Sequence, residues 1–235
     1  MLDSAITPGS LVMHVASRST PAGSCASLEA PRSGGRAKTL SDEQFRKLMS
    51  HIDRTSRSPE ADRLKVLLSF GSGLRVCEIS GLQVFDVTEP DGRTSKVIHI
   101  RPNATKGAKG RDVPMNREVA HAIHLFRRKY PQCDWLAISD RRGKVRHQSA
   151  NALAVWFRKL YINAGLEGCS SHSGRRTFIT QLARQVGNDF TLKDIQRVVG
   201  HARLDTTEAY IDGSPHVERL VERLSGFLGG KSGRA

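Results

Sequence analysis

The sequence predicts a mostly α-helical domain with a small antiparallel β-sheet, and three observations carry that expectation. Capped stretches with apolar residues at helical spacing recur over 41–70, 117–130 and from Ser149 onward. They are interrupted between Val84 and Pro114 by short β-type runs punctuated with turn residues. A chain of 235 residues, 38% of them hydrophobic, can bury one core of ordinary size, which suits a single main domain.

Residues 1–38 are rich in Ser, Gly, Ala and Pro without an apolar period, the composition of a disordered tail. Ser41-Asp-Glu-Gln44 then reads as a capping box opening a first helix, with Phe45, Leu48, Met49 and Ile52 on one face. Pro59 suits the first turn of a second helix, with Leu64, Leu67, Leu68 and Phe70 inward and Gly71-Ser-Gly73 ending it. A helical period resumes at Leu74, and Arg75 stands at its start with Glu78 one turn on, placed to hold the guanidinium. Taken alone, such a pair is more often a solvated surface ion pair. The runs 85–87, Val97–Ile100 and Arg111–Pro114 read as strands, with a Pro90-Asp-Gly92 turn and a basic hairpin tip, Lys106-Gly-Ala-Lys109-Gly110.

The helix over 117–130 carries Val119, Ile123 and Phe126 as its stripe, and Pro131 closes it. His121 and His124 are three apart on it, but no third ligand is suggested, so no metal site is expected. A short strand over 135–138 leads to the turn Asp140-Arg-Arg-Gly143. Ser149 begins a helix with Leu153, Val155, Trp156, Phe157 and Leu160, where Trp156 and Tyr161 serve as core anchors. From His172 a further helix buries Phe178, Ile179, Leu182 and Val186; Arg175 shares the face of His172, and Arg176 points about 100° away. Thr191-Leu-Lys-Asp194 caps a helix over Leu192–Val199 that Gly200 ends, so His201 projects from a helix end. Pro215 opens a terminal amphipathic helix with Val217, Leu220, Val221, Leu224 and Leu228, able to pack at home or on a neighbour.

Lys and Arg outnumber Asp and Glu by 37 to 23, and the resulting +14 with a pI near 10.2 favours a polyanionic partner, nucleic acid before membrane. Most of that charge lies beyond residue 38, since the tail sets Arg18, Arg32, Arg36 and Lys38 against Asp3 and Glu29. Cys25, Cys77, Cys133 and Cys169 form no CxxC pair, which argues against a zinc knuckle or a disulfide framework and suits a reducing compartment. No run approaches the ~18 apolar residues of a membrane span, and the first residues lack a signal peptide's basic start and apolar core. The expectation is a cytoplasmic protein with no membrane partner.

The stretch 170–211 concentrates the chemistry. His172 and Arg175 fall on one helical face, His201 follows a helix end, and Tyr210 lies nine positions after it. A cation, two imidazoles and a phenol are what a tyrosine nucleophile attacking a phosphodiester needs. A lysine at the hairpin tip is most often a solvated charge, yet against DNA it can enter a groove or deliver a proton to a leaving oxygen; Lys106 and Lys109 compete for that task.

In order along the chain, Gly73-Leu-Arg75-Val-x-Glu78-Ile, Thr105-Lys106-Gly-x-Lys109-x-Arg111-x-Val-Pro114, His172-x-x-Arg175-Arg176-Thr177 and Gly200-His201 with Tyr210 nine later resemble the tyrosine recombinase (phage integrase) family. The resemblance covers residues 39–228, leaving 229–235 as a flexible end. It implies the catalytic-domain architecture of that family, with a three-stranded sheet, and a site-specific recombinase that cleaves and rejoins DNA through a 3′-phosphotyrosyl intermediate. It assigns Arg75 and Arg175 to the phosphate, His172 to the proton of Tyr210, Lys106 to the departing 5′ oxygen and His201 to the transition state. Lys109, Arg111 and Arg176 become DNA contacts. No metal, ATP or other cofactor is implied, because two guanidiniums bind the phosphate and the phosphotyrosyl link conserves the bond energy. Implied partners are double-stranded DNA, further copies of the chain in a tetramer joined through the C-terminal helix, and an accessory DNA-binding protein in place of a clamp domain that residues 1–38 are too short to form. Gly174 departs from the family's leucine and is expected to loosen the helix start. Type IB topoisomerase-like relaxation and a non-catalytic DNA-binding regulator are the competing readings.

Overall fold

The computed structural model describes residues 37–102, 110–184 and 191–200. Ser41 caps the first helix, α1 (Asp42–Thr55), reciprocally: its hydroxyl accepts from the Gln44 N–H at 3.2 Å while Gln44 Oε1 accepts from the Ser41 N–H at 3.0 Å. That box sets the phase that buries Leu48, Met49 and Ile52. The second helix, α2 (Pro59–Gly71), is the central post of the fold, with α1, α3 (Val76–Gly81), α4 (Arg117–Lys129) and α6 (Ser173–Ala183) packed around it. Consequently it is buried well beyond the single apolar stripe expected of it, at Ala61, Leu64, Lys65, Val66, Leu68 and Ser69.

Lys65 survives there because every donor has an acceptor. Its Nζ donates to Ile138 O at 2.9 Å and Gln148 Oε1 at 2.7 Å, and pairs with Asp62 at 2.8 Å. Burial pushes its pKa down and Asp62 opposes the shift. The ammonium also sits 4.0 Å from the Trp156 ring centroid.

The β region departs from expectation in two places. Residues 84–87 form a 3₁₀ helix, Val84–Val87, rather than a strand. Asp86 supplies the reason: its carboxylate accepts from the Gln83 N–H at 2.8 Å and pairs with Arg101 at 2.9 Å, local bonds that compete with a ladder. Among the described residues, the expected three-stranded sheet is instead two separate hairpins. In the first, β1 (Val97–Ile100) and β2 (Arg111–Pro114) run antiparallel with Ile98 opposite Val113 and Ile100 opposite Arg111. In the second, β3 (Ile138–Arg141) pairs with β4 (Lys144–His147). Trp135 makes only an isolated bridge to Gln83. Arg142 and Gly143 turn the chain with φ of 56° and 77°, the positive values that two-residue hairpins need.

Leu153, Phe157 and Tyr161 of α5 (Ala150–Asn163) enter the core, whereas Val155, two positions from either of the first two, is exposed on the opposite side. The last described helix, α7 (Leu192–Val199), touches the main core only through half-buried Val198. Its buried residues pack on α6 in a separate small cluster of Ile179, Ala183, Ile195 and Val199, edged by Phe178 and Leu182. Among the described residues no helix is long and apolar enough to cross a membrane.

Candidate active site

Two glycines bring the site together. Gly73 has φ +63°, and a Cβ there would lie 2.3 Å from the Phe178 ring, so only glycine lets the turn before α3 press against α6. Gly174 in the first turn of α6 is equally constrained: a Cβ would sit 2.3 Å from Ser69 Oγ and 2.8 Å from the Phe70 ring. Rather than loosening the helix start, this glycine allows α6 to lie directly on the last turn of α2. Arg75, the N-cap of α3, and Arg175, in the first turn of α6, are thereby carried to one place.

A single buried carboxylate organises the arginines. Glu78 accepts from the Arg75 backbone N–H at 2.7 Å and from Arg75 Nη1 at 3.1 Å. Its two oxygens also receive Arg111 in a fork, Nη1 to Oε1 at 2.7 Å and Nη2 to Oε2 at 3.0 Å. Burial works against the Glu78 charge, but Arg111 and then Arg75 outweigh it and hold the carboxyl below its usual range. The pair expected to be a solvated surface contact is therefore a core element: the Glu78 side chain is fully buried, while that of Arg75 keeps 35% of its surface open. Arg175 is buried as well, with Nη1 donating to Gly73 O at 2.6 Å and Nη2 to Val199 O at 2.9 Å.

His172 precedes α6 as its N-cap residue and is exposed, with Ser171 Oγ 3.5 Å from Nδ1. Protein packed around the ring lowers its pKa, and the Arg175 and Arg75 guanidiniums lower it further. Burial first, and then two neighbouring cations, disfavour the charged imidazole, and the two guanidiniums leave positive charge in excess beside it. The arrangement can receive an anion on two planar donors and offers beside it a neutral nitrogen able to accept a proton.

A family model described as the phage integrase family matches residues 38–216. The chain belongs to the phage integrase family. It is 32% identical to the tyrosine recombinase XerA of Thermococcus kodakarensis over 197 residues, or 80% of this chain and 65% of that protein. Tyrosine recombinase XerD of Neisseria meningitidis serogroup B is 29% identical over 179 residues, 73% and 57% of the two chains. The chain thus spans less than two thirds of the length of these relatives. Among solved structures, XerA recombinase shares the fold at a TM-score of 0.59 and 23% identity, covering 88% of this chain and 67% of that one. A XerH site-specific recombinase bound to palindromic difH substrate matches at a TM-score of 0.56 and 25% identity, covering 80% and 52%.

Of the residues that the phage integrase resemblance singled out, Arg75, His172 and Arg175 come together. Lys106, Lys109, His201 and Tyr210 lie outside the described residues. Two expected DNA contacts have other partners. Arg176 Nη1 donates to Ala37 O at 2.7 Å and, beside it, the Leu40 N–H donates to Thr177 Oγ1 at 3.0 Å, so the segment before α1 is fastened to α6. Arg111 is turned inward to Glu78 and to Val198 O, which its Nε reaches at 3.3 Å. Strand parity could have flagged this second case: Arg111 falls on the same face of β2 as buried Val113, while Asp112 on the other face meets His99 at 2.8 Å.

Proposed function

We propose that this chain carries the catalytic part of a site-specific DNA recombinase, which cleaves and rejoins double-stranded DNA through a 3′-phosphotyrosyl intermediate without metal or ATP. The observation that supports it most is the convergence of Arg75 and Arg175 on His172, both guanidiniums lowering its pKa. A scissile phosphodiester supplies the missing negative charge. Arg75 and Arg175 bond its non-bridging oxygens and stabilise the charge that grows as phosphorus becomes pentacoordinate. His172, neutral at physiological pH, takes the phenolic proton as Tyr210 Oη attacks phosphorus. The 5′ oxygen leaves with a proton from Lys106, Lys109 being the alternative donor, and His201 hydrogen-bonds the phosphate in the transition state. Reversal, with a 5′ hydroxyl attacking the phosphotyrosyl link, reseals the strand.

The net charge of +14 suits a DNA substrate, and the named relatives are recombinases. The working form is a homotetramer on DNA, joined through the helix opened by Pro215, with an accessory DNA-binding protein assisting in the bacterial cytoplasm. A nicked duplex made from the DNA flanking the gene tests the reading. The wild-type chain should be trapped in a covalent adduct that Tyr210→Phe abolishes; an adduct undiminished in that variant would overturn the assignment. Relaxation of arbitrary supercoiled plasmid by the monomer would favour a topoisomerase-like swivel instead, and site binding without cleavage a regulator.

A further inference from the structure

We infer that Arg111 is a positioning residue of the active site, a brace that locks Glu78 and its Arg75 to the C-terminal end of α7, and not a contact to DNA. The inference rests on the recombinase reading above for what is being positioned. Three of its N–H groups are directed inward: two fork onto Glu78 at 2.7 and 3.0 Å, and Nε reaches Val198 O at 3.3 Å. Its side chain keeps only 12% of its surface exposed, against 35% for Arg75 on the same carboxylate. A fork of this kind is held in one plane by two parallel bonds, so it fixes direction as well as distance.

The other end of the brace is built to match. Gly200, the left-handed C-cap of α7 with φ +68°, packs so closely that a Cβ there would lie 2.8 Å from Arg111 Cδ. The carbonyls of Val198 and Val199, at the negative end of the α7 dipole, accept from Arg111 and Arg175 respectively. Two guanidiniums therefore hold the last turn of a helix that buries only Ile195 and Val199, in the small α6–α7 cluster, and sets half-buried Val198 against the main core. In sequence, His201 follows Gly200 directly. One side chain thus couples Glu78 and Arg75 to the C-terminal end of α7.

Charge and geometry can be separated by substitution. Lysine at position 111 keeps a cation that would still meet a phosphate, but a point ammonium cannot reproduce a fork on Glu78 plus a bond to Val198 O. Full-length wild type, Arg111→Lys and Arg111→Met are compared by the salt dependence of binding to a generic duplex, by covalent adduct formation at saturating nicked duplex from the gene's flanking DNA, and by melting temperature. All rates are taken well below the lowest melting temperature, so that a change in stability alone leaves them unmoved. Both variants should keep the wild-type affinity slope against salt, while adduct formation by Arg111→Lys slows roughly 10- to 100-fold, as small misplacements of catalytic groups do. Arg111→Lys cleaving at the wild-type rate would overturn the inference. So would a slope lowered by about one phosphate contact in Arg111→Met. If wild type itself forms no adduct, the recombinase reading falls, and the salt slope alone decides whether Arg111 faces DNA.

Discussion

The body built around α2 and the short helix α7 hold their parts of the site by different means. The body buries α2 nearly all round and ties it to β3 and to the β4–α5 junction through the three-acceptor seat of Lys65. By contrast, α7 buries only Ile195 and Val199, against Ile179 and Ala183 of α6, with half-buried Val198 on the main core, and its end is secured by Arg111 and Arg175 donating to Val198 and Val199. Arg75 and the first turn of α6 therefore inherit the rigidity of the whole core, whereas the C-terminal turn of α7 depends mainly on two polar clasps. Local stability follows the apolar area and bonds an element shares with the rest, so the two regions should open independently.

Substitutions separate the two. The largest effect belongs to the body: Lys65→Ala leaves Gln148 Oε1, the Ile138 carbonyl and Asp62 Oδ1 without the donor they share, and chemical denaturation should show a loss of about 3–5 kcal/mol in global stability. Gly174→Ala forces a Cβ into Ser69 and the Phe70 ring and should cost about 1–3 kcal/mol by the same measurement, because overpacked cores strain. Ile195→Ala, in the small cluster, should lower the opening free energy of α7 by about 2 kcal/mol in hydrogen exchange. The α2 amides and the denaturation midpoint should then stay near wild type. Equal loss of protection in α2 and α7 would mean that they are one cooperative unit, and the contrast between them would be broken.

Much of this organisation is legible in the sequence where a local rule decides it. The boxes at Ser41 and Thr191 and the glycine after Val199 set helix ends because caps are made within four residues. Arg75 and Arg175 were identifiable because a turn and a helix start aim them regardless of what surrounds them. What escaped the sequence depends on partners far along the chain. Glu78 reads as a surface partner of Arg75 until Arg111, 33 positions away, closes over it. Nothing local singles out Lys65, whose acceptors at Ile138 and Gln148 lie 73 and 83 positions on. Gly174 reads as a weak helix start because nothing local announces that Ser69 and Phe70 will occupy the space of its side chain. Strand β4 escapes although its turn is legible, because all four of its residues are exposed and show no inward–outward alternation.

The smallest effect is in pH. With its pKa depressed, His172 stays neutral in the folded protein at pH values where the unfolded chain already binds a proton there. Its contribution to stability is thus complete above the ordinary histidine value and is lost as pH falls from that value through the lowered one. Its capacity to accept a proton follows the same course, so adduct formation should decline with falling pH over this window.

That depression is also the most direct test of the site, because the part that Arg175 and Arg75 add to the effect of burial requires both guanidiniums to lie near the ring. Titration of the His172 ring by NMR should give a pKa below the ordinary ~6.5 in the wild-type chain. It should move upward in Arg75→Met and upward again when duplex DNA places a phosphate between the two arginines. A ring titrating at the ordinary value in wild type, and indifferent to Arg75→Met and to DNA, would contradict the convergence on which the functional reading stands.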